Sequence, residues 1–204
     1  MKYRKAAPLL FILLTLILLS SSALADDSKT STLTIDSERS KISWVSEAPA
    51  EKIVGTGEEL KGTIRLNLDD LEATKGTIAF PVSTMKTGNR LRDRHLQGKD
   101  WLNAKKNANV EFHLEKLENV KRSVDGDQII VEADAVGQVE VNGVKAPNRA
   151  QVRITLLPDR KLARIQPTLK LALADHKVAG KRGVVGDKVG EVIEIEGVIY
   201  GNWE

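Results

Sequence analysis

Beyond residue 25 the chain alternates apolar and polar side chains with a period of two, and almost nowhere sustains the 3.6-residue period of a helix. Ile64, Leu66 and Leu68 alternate with Thr63, Arg65 and Asn67. Ile78, Phe80 and Val82 form a second set, Val110, Phe112 and Leu114 a third against Glu111, His113 and Glu115, and Val152, Ile154 and Leu156 a fourth. A period of two puts one dry and one wet face on an extended strand. Residues 32–36, 41–46, 127–141, 160–174 and 189–200 are further candidates, and Asp125-Gly126-Asp127 and Asn142-Gly143 are turn signals between strands. The pattern predicts eight or nine antiparallel strands in a barrel or sandwich, forming one domain over residues 26–204.

Two local features qualify it. Residues from Val110 to Ser123 would extend about 45 Å as a single strand. The apolar phase slips after Leu114, the next apolar residue being Leu117, so a bulge is expected near Glu115. A single helix is expected from Asn89 to Trp101, with Asn89 as N-cap and Gly98 weakening its far end. Such a helix can lie across one opening of a barrel.

The amino terminus reads differently. Lys2, Arg4 and Lys5 precede an apolar run from Leu9 to Leu19, and Ala23-Leu24-Ala25 has the small-x-small form of a signal peptidase site. A bilayer-spanning helix needs about 20 apolar residues, so residues 1–25 are expected to be a cleaved signal peptide, with export to the periplasm and no stable membrane insertion. Without those three cations, the 31 Lys and Arg become 28 and balance the 28 Asp and Glu. The electrostatic footprint of nucleic-acid binding disappears with them. The absence of cysteine excludes disulfides, thiolate metal sites and a cysteine nucleophile.

Residues with chemical potential concentrate in Thr87-Gly88-Asn89-Arg90-Leu91-Arg92-Asp93-Arg94-His95-Leu96. Cations at the start of a helix oppose its dipole. They suggest a nearby anion or polar head group, or else a solvated face on which Asp93 pairs locally. His95, His113 and His176 have no metal-ligand spacing, no serine lies in a G-x-S-x-G elbow, and Gly55-Thr56-Gly57-Glu58-Glu59 lacks the lysine of a phosphate loop. Those glycines are expected in a hairpin or bulge. No catalytic set, metal site or cofactor is expected. Six aromatic residues remain after residue 25, so an interior would be mainly aliphatic, whether packed solid or open.

The block Thr87-Gly88-Asn89, Arg92-Asp93-x-His95-Leu96, Asp100-Trp101-Leu102-Asn103 and Val110-Glu111-Phe112 resembles the central signature of the YceI-like polyisoprenoid-binding family. Ile42-Ser43-Trp44, Leu60-Lys61-Gly62, Val141-Asn142-Gly143-Val144 and Leu171 to Asp175 extend the resemblance over most of the chain. Two departures stand out: Asn107-Ala108 where members usually carry Tyr-Pro, and His176-Lys177 where an aromatic-glycine pair is usual. The resemblance implies a lipocalin-like, elongated eight-stranded barrel with one helix, an apolar tunnel and a prenyl quinone or prenyl phosphate as partner. The residues expected to touch that lipid are Trp44, Ile64, Leu66, Phe80, Val82, Leu91, Leu96, Trp101, Leu102, Val110, Phe112 and Leu114. Arg92 and His95 are expected near its head group.

Overall fold

The computed structural model describes residues 30–181 and 183–203, so the expected signal peptide lies outside the described residues. Nine antiparallel strands follow in chain order: β1 (Thr30–Glu47), β2 (Lys52–Gly57), β3 (Lys61–Asn67), β4 (Lys75–Pro81), β5 (Asn109–Asp125), β6 (Gln128–Val141), β7 (Val144–Leu157), β8 (Leu162–Ala172) and β9 (Val192–Trp203). From β3 to β9 each strand pairs with its sequence neighbour, and β1 pairs with β9 to close the sheet.

β2 and β3 lie end to end along one edge of β1. Ile42–Glu47 pair with Gly57–Lys52, while Thr30–Thr34 pair with Asn67–Thr63. Together they make one interrupted stave, so nine strands build an eight-stranded closed barrel. Closure leaves no long unpaired edge to template aggregation. The Thr84 hydroxyl bridges the interruption, accepting from Glu58 N at 3.1 Å and donating to Glu58 O at 2.9 Å.

Long strands must bend to follow a barrel, and each bend has a visible cause. In β5, Leu114 faces Gly137 and Lys116 faces Val136, which leaves Glu115 as the extra residue of the expected bulge. A second slip, between Glu118 and Lys121, contains Asn119 in the left-handed region at φ 55°. In β1 the register slips between Asp36 and Lys41. There the Asp36 carboxylate accepts from the backbone of Glu38 and Arg39, and Ser40 Oγ binds both backbone groups of Tyr200.

Among the described residues one α-helix, α1 (Arg90–Leu96), interrupts the strands. Asn89 caps it, its side-chain oxygen accepting from Leu91 N and Arg92 N at 3.0 and 3.2 Å. The expected helix to Trp101 is cut short. After Leu96 the chain folds back on itself in turns, with Gly98 N bonded to His95 O and Leu102 N to Leu96 O. Val82 also differs from expectation: β4 ends at Pro81, and Val82 opens a 3₁₀ turn in which it and Thr84 are buried.

Candidate functional site

Alternation along the strands gives the barrel an apolar interior containing two chambers. The chamber near α1, of about 170 Å³, is walled by Trp44 of β1, Ile53 of β2, Val141 of β6, Leu171 of β8 and Ile193 of β9. Arg92, His95 and Leu96 of α1, with Trp101 and Leu102 just beyond it, stand at its mouth. The deeper chamber, of about 130 Å³, is bounded by Ile64, Leu66, Phe112, Leu114, Leu117 and Leu156 among others. Ile42, Phe80, Val110 and Ile195 border both, forming a waist between them. The structure thus brings ten of the twelve expected contact residues, and both expected head-group residues, to the two adjoining chambers of one interior.

Val82 and Leu91 fall outside it. Val82 is buried but lines neither chamber. Leu91 is 54% exposed. At 100° per residue, the inward face of α1 centres between Arg92, His95 and Leu96 and turns Leu91 about a quarter-turn away.

The register expected for β5 holds. Glu111 borders the deeper chamber, but its carboxylate lies with the outward side chains, 3.4 Å from His113 Nε2. Glu140 reaches the same nitrogen at 3.5 Å. Glu111, His113 and Glu140 bring ligand atoms within 4.8 Å of one another, a convergence that sequence spacing did not reveal. Its ligand atoms lie on the outer face of the wall whose inner face bounds the deeper chamber, and the Lys145 ammonium stands 3.5 Å from the Glu140 carboxylate.

The glycines of β2 shape the chamber near α1, the upper of the two, the deeper one being the lower. Ile53, Gly55 and Gly57 face inward, and a Cβ at Gly55 would overlap the Trp44 indole, while one at Gly57 would stand 2.8 Å from the Phe80 ring. They are therefore strand residues that make room for two aromatic walls, and not the hairpin or bulge expected.

The polar groups of the mouth are mostly engaged. Arg92 pairs with Glu51 at 2.8 Å, tying α1 to the β1–β2 turn. The Asp93 carboxylate accepts from the amide and hydroxyl of Thr87 at 2.8 and 2.7 Å. Opposite α1, Asn107 Nδ2 donates to Asn142 Oδ1 at 3.2 Å, Asn142 Nδ2 donates to His176 O at 3.4 Å, and His176 Nδ1 is 2.9 Å from Val144 O. Both departures from the expected signature, Asn107 and His176, thus belong to one hydrogen-bonded chain centred on Asn142.

Wall residues that sequence reading did not single out include Ile193 and Ile195, whose alternation with Glu194 and Glu196 was a usable signal. Val178 and Val189 lie outside the named strands, where no periodicity marks them.

The family model for the YceI-like domain matches residues 33–199. The chain belongs to the YceI-like family. It is 26% identical over 150 residues to Protein YceI of Escherichia coli O157:H7, covering 72% of this chain and 74% of that protein. Among solved structures it resembles BcnA of Burkholderia cenocepacia, with a TM-score of 0.64 and 16% identity over 81% of this chain and 98% of that one. It also resembles a polyisoprenoid binding domain from Saccharophagus degradans, with a TM-score of 0.61 and 12% identity over 84% of this chain and 98% of that one. At these identities the structural likeness establishes the barrel, and the YceI-like barrel is the frame for its interior.

Proposed function

We propose that this YceI-like protein binds a long-chain isoprenoid lipid, of the prenyl quinone or prenyl phosphate type, in its two chambers and carries or sequesters it in the periplasm after removal of residues 1–25. The observation that carries this reading is the apolar interior with its two adjoining chambers, bordered at the α1 end by the Arg92 guanidinium and the His95 imidazole. The polyisoprenoid binding of the Saccharophagus degradans neighbour accords with it.

Magnitudes favour the tail over the head. Each buried methylene contributes about 0.8 kcal/mol, whereas a head-group hydrogen bond contributes roughly 1 kcal/mol, or about 3 when charged. The tail therefore supplies affinity and the mouth supplies orientation. Each chamber is comparable to the roughly 150 Å³ engineered cavity that admits benzene, so a long tail needs both chambers and the waist between them.

A packed structural barrel is disfavoured by the chambers themselves. Catalysis on a head group would rest on His95, and the hydroxyls bordering the same chamber are Ser46 and Thr87. Ser46 Oγ accepts from Gly190 N at 2.9 Å, and Thr87 Oγ1 donates to Asp93, so neither is paired to His95 as a nucleophile to a base.

Native mass spectrometry of protein isolated from its own host, followed by lipid extraction, tests the reading. Bound prenyl lipid is expected. Phe112→Trp should lower its occupancy and His95→Ala should lower it much less, whereas an enzyme using His95 predicts retained lipid and lost turnover. Lipid-free wild-type protein would overturn the carrier function.

A further inference from the structure

We infer that the mouth end of the barrel docks on an anionic lipid surface, bringing the upper chamber to the bilayer from which its ligand is drawn or to which it is returned. The inference rests on the carrier reading and adds to it a partner and an orientation.

Strand direction sorts the connections between the two ends. The β1–β2 turn, residues 82–108, the Asn142-Gly143 turn and residues 173–191 lie at the mouth; residues 68–74, 126–127 and 158–161 lie at the other end. Residues 86–106 carry Lys86, Arg90, Arg92, Arg94, Lys99, Lys105 and Lys106 against only Asp93 and Asp100. The far end reverses this, with Asp69, Asp70 and Glu72 before β4, Asp125 and Asp127 around the β5–β6 turn and Asp159 after β7, against Arg160 and Lys161. Among the described residues the other mouth segments come close to neutral, with Glu51, Asp175, Asp187 and Glu191 against Lys177, Lys181 and Lys188, so charge that cancels over residues 26–204 is separated along the barrel axis, the cationic excess lying on residues 86–106.

The cations at the mouth are also available. Arg92 is committed to Glu51 and Asp93 to Thr87. Arg90, Arg94, Lys99, Lys105 and Lys106 are exposed, and among the described residues none of them forms an ion pair. Leu91, the side chain that α1 turns away from the chamber, is exposed and shares its side of the helix with Arg94, its i+3 neighbour, while Arg90 precedes it at the helix start. An apolar side chain flanked by cations matches a bilayer interface, where the cations meet lipid phosphates and the apolar group enters the boundary region. A neutral surface would use only Leu91. Each basic residue near an anionic surface strengthens binding by about fivefold, so several acting together outweigh that one leucine. No helix among the described residues is long and apolar enough to cross a membrane, in keeping with peripheral docking.

The test is co-sedimentation of the full chain, as purified from its host, with vesicles of phosphatidylglycerol and phosphatidylcholine in equal parts or of phosphatidylcholine alone. Wild type should bind the anionic vesicles preferentially and lose that preference as salt rises. Arg90→Glu with Arg94→Glu should weaken anionic binding at least tenfold, while Lys121→Glu with Arg160→Glu, remote from the mouth, should leave it within about twofold. All variants share the same amino terminus, so differences among them belong to the barrel. Equal binding to both vesicles, or equal loss in the two double variants, would overturn the docking. So would retention on immobilised polyglutamate without retention on anionic vesicles, which would assign the patch to an acidic protein. Lipid extracted from the same preparations keeps the two ideas separate: co-purified lipid without vesicle preference defeats docking alone, and absent lipid defeats the carrier reading.

Discussion

The indole of Trp44 lies directly over Gly55, its cross-strand partner in β2, in the space that a Cβ at that position would fill. The contact fixes one wall of the upper chamber. Gly55→Ala must therefore move the Trp44 ring, and overpacking of this kind in a closed wall costs about 1 to 3 kcal/mol. We expect a lower urea midpoint together with a change in Trp44 fluorescence and in retained lipid. An unchanged midpoint and spectrum would show that the ring has other room.

Ser40 is the fastening of the bend in β1. Its hydroxyl accepts from Tyr200 N at 3.0 Å and donates to Tyr200 O at 3.3 Å, replacing the ladder bonds that the register slip removes. Ser40→Ala leaves both backbone groups without that partner, at a cost of about 1 to 3 kcal/mol. Hydrogen exchange at Tyr200 should accelerate more than at Ile193, at the other end of the β1–β9 pairing.

Acid should loosen the outer face at β5–β7. Lys116, first, and then Arg149 hydrogen-bond the Glu118 carboxylate and hold it below the usual glutamate range. Because its folded pKa is depressed, the stabilisation is present above the ordinary glutamate value of about 4.3 and is lost as pH falls through the folded value. Arg149→Gln removes one of the two donors, so an NMR titration should find Glu118 moved part-way back toward the ordinary range. The pairs are solvent-exposed, and high salt should shrink the difference.

How far these features could be read from sequence depended on whether an apolar phase was there to follow. The inward parity of Phe112 and the bulge at Glu115 were legible because Val110, Leu114 and Leu117 report which face is dry. The slip near Asn119 was not, because the residues from Lys121 to Asp125 are exposed and carry no dry face to lose. Gly55 and Gly57 have no side chain to show parity, and their role is set by aromatics on neighbouring strands. The helix was overextended because Leu96, Trp101 and Leu102 all line the chamber, which imitates a continuing helical face. The Asn107–Asn142–His176 chain joins residues 35 and 34 positions apart at its two links, and only folding reveals it.

The waist offers the sharpest test of how the two chambers are used. Ile42, Phe80, Val110 and Ile195 border both, and Val110 is the smallest of the four. Val110→Phe adds a ring where the passage is shared and should separate the chambers, at a stability cost of about 1 to 3 kcal/mol from overpacking. A tail that threads the waist would then lose its deeper contacts. Three methylenes excluded from the lower chamber forfeit about 2.4 kcal/mol, which is roughly fiftyfold in Kd. A short prenyl chain confined to the upper chamber should keep most of its affinity. Titrating isoprenoid alcohols of increasing length should therefore give wild type an affinity that climbs with length and Val110→Phe one that levels off early. If both rise in parallel, the tail does not pass the waist, and the lower chamber is no part of the binding site.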